Sequence, residues 1–209
     1  MLPIAPEGRP YLAALAVLVA LAHLFMGPWA LPTWGLLLGA LFLFRNLPRE
    51  IPPRPLAVVS PVDAVVEQVG DGRDPFLDRD ALCIALRQGP GGEFNLHSPV
   101  EGRVQRYWRS SAHERLRPDA RFGLWLATDE RDDVVLAVNC RPWPHLTRCP
   151  VTTGDRLGQG RRCGFLGFGR RVELYLPATA RAEVSRGQRV RAGSDTIATL
   201  VHKQPGGPS

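Results

Sequence analysis

The segment from Gly164 to Pro177 reads GFLGFGRRVELYLP and says most about the fold of this 209-residue chain. Glycines punctuate its first half, which is typical of turns. Its second half, Val172–Leu176, is a short run of apolar, β-branched and aromatic residues that predicts a strand. We therefore expect a glycine-rich turn that leads directly into a β-strand.

The same pattern of short apolar runs between glycines and prolines extends over the chain from Pro52 onward. No stretch in this region has a long helical period, so the pattern predicts a mainly β domain with a barrel-like sandwich architecture. The predicted strands are Leu56–Val59, Ala64–Val69, Leu82–Leu86, Arg103–Tyr107, Gly123–Ala127, Val134–Val138 and Val172–Leu176.

Two pairs of internal similarities sharpen this prediction. Ser60–Val66 is similar to Ser98–Val104, and Gly154–Gly160 is similar to Gly187–Gly193. Paired units of this kind resemble the interlocked halves of biotinyl/lipoyl-type barrel-sandwich domains. A carrier of that type needs a lysine at a hairpin tip, whereas Lys203 is the only lysine and lies near the C-terminus, which argues against a carrier function.

The N-terminal 50 residues have a different composition. Two apolar runs, Tyr11–Met26 and Trp29–Phe44, are separated by Gly27-Pro28. Each run is shorter than the roughly 20 residues that a straight membrane-spanning helix needs. The pattern predicts a tight helical membrane hairpin, which either spans a thin region or enters and leaves one face.

Basic residues follow the second apolar run at Arg45, Arg49 and Arg54. The positive-inside rule then predicts an inner-membrane protein whose soluble domain faces the cytoplasm. A cleavable signal peptide is not favoured, because Arg9 is balanced by Glu7 and no small-residue cleavage site precedes a polar start.

Several motifs together resemble the phosphatidylserine decarboxylase family. The residues from Gly154 to Pro177 align without a gap with its pattern G-D-x-h-x-x-G-x-x-x-G-x-h-x-F-G-S-R-V-D-x-Y-L-P, in which h is apolar. Val58–Ala64, His97–Gly102 and Phe44–Pro52 resemble further family motifs. The resemblance implies a membrane hairpin at 1–50 and a decarboxylase-like β domain at 51–203, and residues 204–209 are predicted to be a disordered tail.

The family cleaves its own chain between a glycine and a serine, and the serine becomes a catalytic pyruvoyl group. The matching positions here are Gly169 and Arg170. Arginine has no hydroxyl to attack the preceding carbonyl, and a permanently protonated guanidinium is a poor nucleophile. We therefore expect no pyruvoyl cofactor.

Asp63 and His97 match the family residues that would activate the missing serine, the aspartate orienting the imidazole and the imidazole accepting the proton. The alternative interpretation is that Asp63 caps a turn and His97 fills a polar pocket. A family histidine three positions before His97 is Phe94 here, and the family's I-A-G-x-x-A-R-R stretch is replaced around residues 139–146.

Other side chains predict no metal site or disulfide framework. His97, His113 and His145 lack ligand spacing. The four cysteines lack Cys-x-x-Cys spacing, so we expect mostly free, buried thiols in a reducing compartment. They are Cys83, Cys140, Cys149 and Cys163.

The net charge of +6 is carried almost entirely by arginine. Arginine binds phosphate bidentately, so an anionic or aminophospholipid membrane is the predicted partner. Basic and aromatic residues also mix between Arg103 and Arg121, a composition that suits single-stranded nucleic acid or a membrane interface. The N-terminal hairpin favours the membrane.

The sequence thus predicts a phosphatidylserine decarboxylase-related membrane protein of phospholipid metabolism that cannot form the pyruvoyl group. It would act by binding an aminophospholipid or by regulating an active relative, and its expected protein partner is an active homologue or a second copy in a homo-oligomer. Two alternatives stay open. One is an active decarboxylase with a non-standard site, for which Gly193-Ser194 is a candidate, and the other is a membrane-tethered nucleic-acid binder.

Overall fold

The computed structural model describes residues 4–89, 91–109, 120–139, 149–167 and 170–201. Two helices, α1 (Arg9–Met26) and α2 (Leu31–Leu43), precede the strands. The strands are β1 Ala57–Val59, β2 Ala64–Asp74, β3 Arg79–Gln88, β4 Asn95–His97, β5 Gly102–Arg109, β6 Ala120–Ala127, β7 Asp133–Asn139, β8 Arg156–Leu157, β9 Arg162–Phe165, β10 Arg171–Pro177, β11 Arg181–Ala182, β12 Arg189–Val190 and β13 Thr196–Thr199.

The two helices form one apolar segment that turns back on itself. A 3₁₀ turn, Gly27–Ala30, joins them, and Gly27 begins it with φ of 55°, a conformation that favours glycine. The end of α2 therefore lies beside the start of the hairpin, where Ile4 and Arg45 form an isolated antiparallel β-bridge. By length and composition the helical segment Pro6–Leu43 is able to cross a membrane.

Eight antiparallel strands form the main sheet, in the order β12-β2-β3-β10-β7-β6-β5-β8. Successive side chains of β10 point to opposite faces of the sheet, and both faces are covered. Val172, Leu174 and Leu176 join the large core on one face, whereas Tyr175 packs with Trp108 in a smaller cluster on the other. A three-stranded sheet, β1-β13-β11, and a two-stranded sheet, β4-β9, complete the domain.

The mainly β prediction and the apolar N-terminal helical segment are confirmed. All seven predicted strands are present, although β2 and β3 are longer than predicted. No strand pairing among the described residues closes a sheet into a barrel. The barrel-sandwich architecture therefore stays a prediction, and residues 204–209 lie outside the described part of the chain.

The two similar Ser-Pro segments form equivalent hydrogen bonds in the structure. The hydroxyl of Ser60 donates to the carbonyl of Val62 at 2.7 Å, and the hydroxyl of Ser98 donates to that of Val100 at 2.8 Å. The two units also exchange backbone bonds reciprocally. Each bond runs from the residue before one Ser-Pro pair to the proline of the other: Val59 N–H to Pro99 at 2.9 Å and His97 N–H to Pro61 at 2.8 Å.

The glycine units extend this pseudo-twofold arrangement. Gly193 N–H donates to the Ser60 carbonyl and Gly160 N–H to the Ser98 carbonyl, both at 2.8 Å. Gly160 and Gly193 have φ of 65° and 67°. A Cβ on either would lie 2.9 to 3.1 Å from the other's carbonyl oxygen, so this crossing requires glycine in both halves.

Candidate functional site

Arg170 is the residue immediately before β10, and only 3% of it is exposed. Its Nε donates to the carbonyl of Gly167 at 3.0 Å, and its own carbonyl accepts from the Gln88 N–H at 2.9 Å. Arg171 differs, because its side chain is 45% exposed and pairs with Glu173 at 3.0 Å. Gly169 lies outside the described residues.

Asp63 follows the first Ser-Pro loop and joins three parts of the chain. Its Oδ1 accepts from Ala192 N–H at 2.7 Å, and its Oδ2 accepts from Glu93 N–H at 2.9 Å and from Arg49 at 2.8 Å. The carboxylate therefore ties the segment after α2 to the loops that precede β4 and β13.

His97 ends β4 with its side chain buried. Its Nδ1 lies 2.8 Å from the carbonyl oxygen of Gly160, and its Nε2 lies 2.8 Å from Oε1 of Glu93. Glu93 is completely buried, and its other oxygen accepts from the N–H of Leu47 at 3.0 Å. Asp63 and His97 are thus linked through Glu93.

Opposing influences act on the Glu93 carboxyl. Burial raises its pKa. The hydrogen bonds from His97 and Leu47 and the charge of Arg49 together lower the pKa by more than burial raises it, so the pKa lies below its usual value. The ionised carboxylate is an acceptor, as is the Gly160 carbonyl. Each ring nitrogen of His97 lies within hydrogen-bond distance of one of these two oxygens.

The cluster is fastened to the base of the helical hairpin. Besides Arg49 and Leu47, Asn95 donates to Asn46 Oδ1 at 3.0 Å, and Arg162 forms an ion pair with Glu7. The rings of Phe44 and Phe165 stack with centroids 5.3 Å apart.

Phe94 is completely buried in the same apolar cluster as Phe44 and Phe165. The position expected to hold a histidine therefore serves the contact between the hairpin and the β domain.

Sequence reasoning missed Glu93 and Arg49. Neither belongs to a quoted motif of catalytic type, and only the fold brings both carboxylates and His97 together. The catalytic roles of Asp63, His97 and Gly169 stay predictions. Gly193-Ser194 lies in the turn before β13, where a Cβ on Gly193 would approach His97 Nδ1 to 3.0 Å.

A polar groove of about 770 Å³ opens where the chain leaves the hairpin. One wall is the proline-rich segment Ile51–Leu56, and Leu56 has φ of 66°, an uncommon conformation for leucine. Arg156 pairs there with Glu101 and Asp129. The groove also contains Arg54, Arg161 and Glu130.

In the described part of the chain no three His, Cys, Asp or Glu side chains are arranged so that they could hold a metal ion. His113 and His145 lie outside the described residues. Cys149 and Cys163 are free thiols, whereas Cys140 is not described. Burial raises the pKa of Cys149 to about 11 and that of Cys163 well above its usual value, which makes both thiols poor nucleophiles.

The described residues define a mainly β protein with an apolar N-terminal helical segment that is able, by length and composition, to cross a membrane. Comparison with known proteins gives its family. A sequence model of phosphatidylserine decarboxylase matches residues 131–198.

Three bacterial relatives, each named phosphatidylserine decarboxylase proenzyme, match nearly the full length. The relative from Nitrosomonas eutropha is 34% identical over 206 residues, 93% of this chain and 94% of its own. The relative from Aromatoleum aromaticum is 35% identical over 208 residues, and that from Burkholderia pseudomallei is 34% identical over 208, each covering 94% of this chain and 95% of the relative. The chain belongs to the phosphatidylserine decarboxylase family.

Proposed function

We propose that this chain is a member of the phosphatidylserine decarboxylase family that does not cleave itself at Gly169-Arg170. It acts in phospholipid metabolism by binding an aminophospholipid at the inner membrane, with its β domain on the cytoplasmic side. The observation that carries the proposal is Arg170, a buried guanidinium at the position where the family motif has serine.

The chemistry of this position supports the proposal. A pyruvoyl group supplies an electron sink for decarboxylation, and it forms only from a residue with a β-hydroxyl or an equivalent nucleophile. Arg170 has neither, and its Nε is bonded to the Gly167 carbonyl. The residues present do not fit a pyruvoyl group made at this position.

The surroundings of His97 support it further. Both ring nitrogens face acceptors, the Gly160 carbonyl and the Glu93 carboxylate. In this arrangement the imidazole has no free nitrogen with which to activate a hydroxyl. Its role becomes structural, as the link between the two halves of the domain and the hairpin.

The groove beside Ile51 is the headgroup site that we assign to this function. An aminophospholipid headgroup carries a phosphate and an ammonium group, and the groove offers both kinds of partner. In the described part of the chain, the side chains of Arg161 and Glu130 have no hydrogen-bond or ion-pair partner, and both line the groove. Its volume lies within the roughly 300–1,000 Å³ of small-molecule sites.

The first test is the intact mass of the full chain purified from membranes. We expect one species near 23.0 kDa. A fragment beginning at residue 170 with a blocked end would overturn the proposal.

A fragment beginning at Ser194 would instead establish the alternative of a decarboxylase with a non-standard site. That alternative is considered because Gly193 lies beside His97.

The matched variants are Arg170→Ser and Arg171→Ser. Arg170→Ser restores the family motif, so any self-cleavage that returns should occur in this variant alone. Arg171→Ser changes the exposed neighbouring arginine and should leave the mass unfragmented. Cleavage in the Arg171→Ser protein or in the parent chain would show that Arg170 does not block the reaction.

Headgroup binding is measured with the full chain incorporated in nanodiscs. Flotation separates the nanodiscs from unbound labelled soluble headgroups. Glycerophosphoserine and glycerophosphoethanolamine should bind, and glycerophosphoglycerol should bind more weakly. Arg161→Glu should remove this preference, whereas Arg186→Glu, an exposed arginine far from the groove residues in sequence, should keep it. Equal binding of all three headgroups by the parent chain would refute the aminophospholipid assignment.

A further inference from the structure

We infer that the helical hairpin is a re-entrant anchor: it enters and leaves the bilayer on the side of the β domain, and its tip, Gly27–Ala30, ends inside the hydrocarbon. This inference concerns the hairpin alone and does not depend on the proposed function. Four properties of the hairpin support it.

The distribution of charge is one-sided. No Asp, Glu, Lys or Arg lies between Arg9 and Arg45. These two arginines lie at the same end of the hairpin, because Ile4 bridges Arg45 and the Ala5 N–H donates to the Phe44 carbonyl at 2.8 Å. Charged residues therefore mark one membrane surface, at the base, and none marks a second surface at the tip.

The tip consists of exposed apolar side chains. Phe25 and Trp29 are 81% and 83% exposed, and Leu24 and Met26 are also exposed. A tip that emerged into water on the far side would place all four in water. A tip that stops in the hydrocarbon keeps them in an apolar solvent.

Backbone hydrogen bonds at both ends of the turn are internal to the hairpin, which a turn within lipid requires. Gly27 N–H donates to the His23 carbonyl, and Leu31 N–H donates to the carbonyl of Pro28. Pro28 has no N–H to satisfy. The Thr33 hydroxyl donates to the Ala30 carbonyl at 2.7 Å.

The arms are short for a crossing. With 18 and 13 residues, α1 and α2 are about 27 and 20 Å long at 1.5 Å per residue. The hydrocarbon core is about 30 Å thick. Part of this length is used at the base, where Leu12 of α1 and Leu43 of α2 pack in an apolar cluster with Phe94 and Phe165 of the β domain.

This geometry fixes the height of the β domain above the membrane. Because the base is joined to the domain by the Arg162–Glu7 ion pair and the Phe44–Phe165 stack, the hairpin cannot sink further without breaking these contacts. The groove wall begins at Ile51, only eight residues after α2 ends at Leu43.

The test uses membrane-impermeant maleimide on the full chain in sealed vesicles of both orientations, with labelled positions identified by peptide mass. Trp29→Cys probes the tip, and Leu47→Cys is the control at the base. We expect Leu47→Cys to be labelled from one side and Trp29→Cys from neither. Labelling of Trp29→Cys from the opposite side would show a spanning hairpin, and labelling from the same side would show a hairpin that lies outside the hydrocarbon.

The unmodified chain gives a second measurement that does not depend on a variant's folding. Met26 and Trp29 are natural targets for hydroxyl radicals generated in water. Both should be protected in vesicles of either orientation. Oxidation of both residues at the level of exposed aqueous side chains would overturn the inference.

Discussion

The two Ser-Pro units of the β domain have the same backbone and different chemistry. Asp63 and Glu101 occupy equivalent positions, three residues after Ser60 and Ser98. Asp63 accepts from two backbone N–H groups and from Arg49. The Glu101 side chain is 59% exposed and pairs only with Arg156 among the described residues.

The residues before the two serines also differ, but here the polar residue belongs to the second unit. His97 is bonded to Gly160 and Glu93, whereas the equivalent Val59 is simply buried in the core. The internal repeat therefore builds the scaffold twice. The hairpin exit supplies Arg49 and Leu47 to a charged cluster that takes Asp63 from the first unit and His97 from the second, whereas Glu101 stays at the surface.

The largest expected effect comes from removing the charge at the centre of this cluster. Glu93→Ala would leave Arg49, His97 and the Leu47 N–H without their buried acceptor, and we expect it to lower the free energy of unfolding by about 3–5 kcal/mol. Glu101→Ala, the control in the second unit, should change it by about 0.5 kcal/mol or less. Urea unfolding of the full chain in detergent measures both, and equal losses would mean that the buried and the exposed carboxylate do not differ in their contribution to stability.

A smaller and symmetric effect is expected at the crossing glycines. Gly160→Ala and Gly193→Ala each introduce a Cβ about 3 Å from a carbonyl oxygen at positive φ, and each should cost about 1–3 kcal/mol. Gly187→Ala, where φ is 87° but nothing lies within 4 Å, is the control for backbone conformation alone. Thermal unfolding distinguishes them, and a Gly187→Ala loss as large as the others would remove the close approach as the cause.

The serines should behave as a pair. Each hydroxyl makes one buried bond to a carbonyl two residues ahead, so Ser60→Ala and Ser98→Ala should each cost about 1 kcal/mol. A double variant measured by the same unfolding experiment should show the sum. Losses that differed several-fold between the two would contradict the structural equivalence of the units.

The smallest effect is on pH dependence. Burial raises the pKa of Glu93, but His97, Leu47 and Arg49 lower it more, and the folded value lies below the unfolded value near 4.5. Its contribution to stability is therefore present above that unfolded value and is lost as the pH falls through the folded one. Glu93→Gln should reduce the loss of stability as the pH falls below the unfolded value. An unchanged acid profile in Glu93→Gln would exclude this carboxylate as a source of acid sensitivity.

Local sequence patterns were sufficient to predict the helices and the longer strands. The apolar runs Tyr11–Met26 and Trp29–Phe44 become helices with a break at Gly27, because proline and a positive-φ glycine interrupt helical geometry. Val172–Leu176 becomes β10, since its side chains fit a strand covered on both faces.

The strands that were not predicted are those whose pairing is decided at a distance. β8, β11 and β12 have two residues each, β4 has three, and β9 and β13 have four. Such pieces carry too little periodicity to identify, and they are strands only because the crossing of the two units aligns their backbones. The same holds for Glu93, whose contacts come from the hairpin exit and from β4.

The sequence by itself determined the family, the mainly β composition, the apolar hairpin and the arginine at position 170, because these depend on residue identity and local spacing. The tertiary structure alone decided that Asp63, Glu93, His97 and Arg49 form one buried cluster and that Arg170 is enclosed. It also decided that the hairpin base is bonded to the β domain. The physical reason is that burial and hydrogen bonding arise between segments far apart in the chain, where the crossing of two similar backbones gives one carboxylate a buried setting and the other a solvated one.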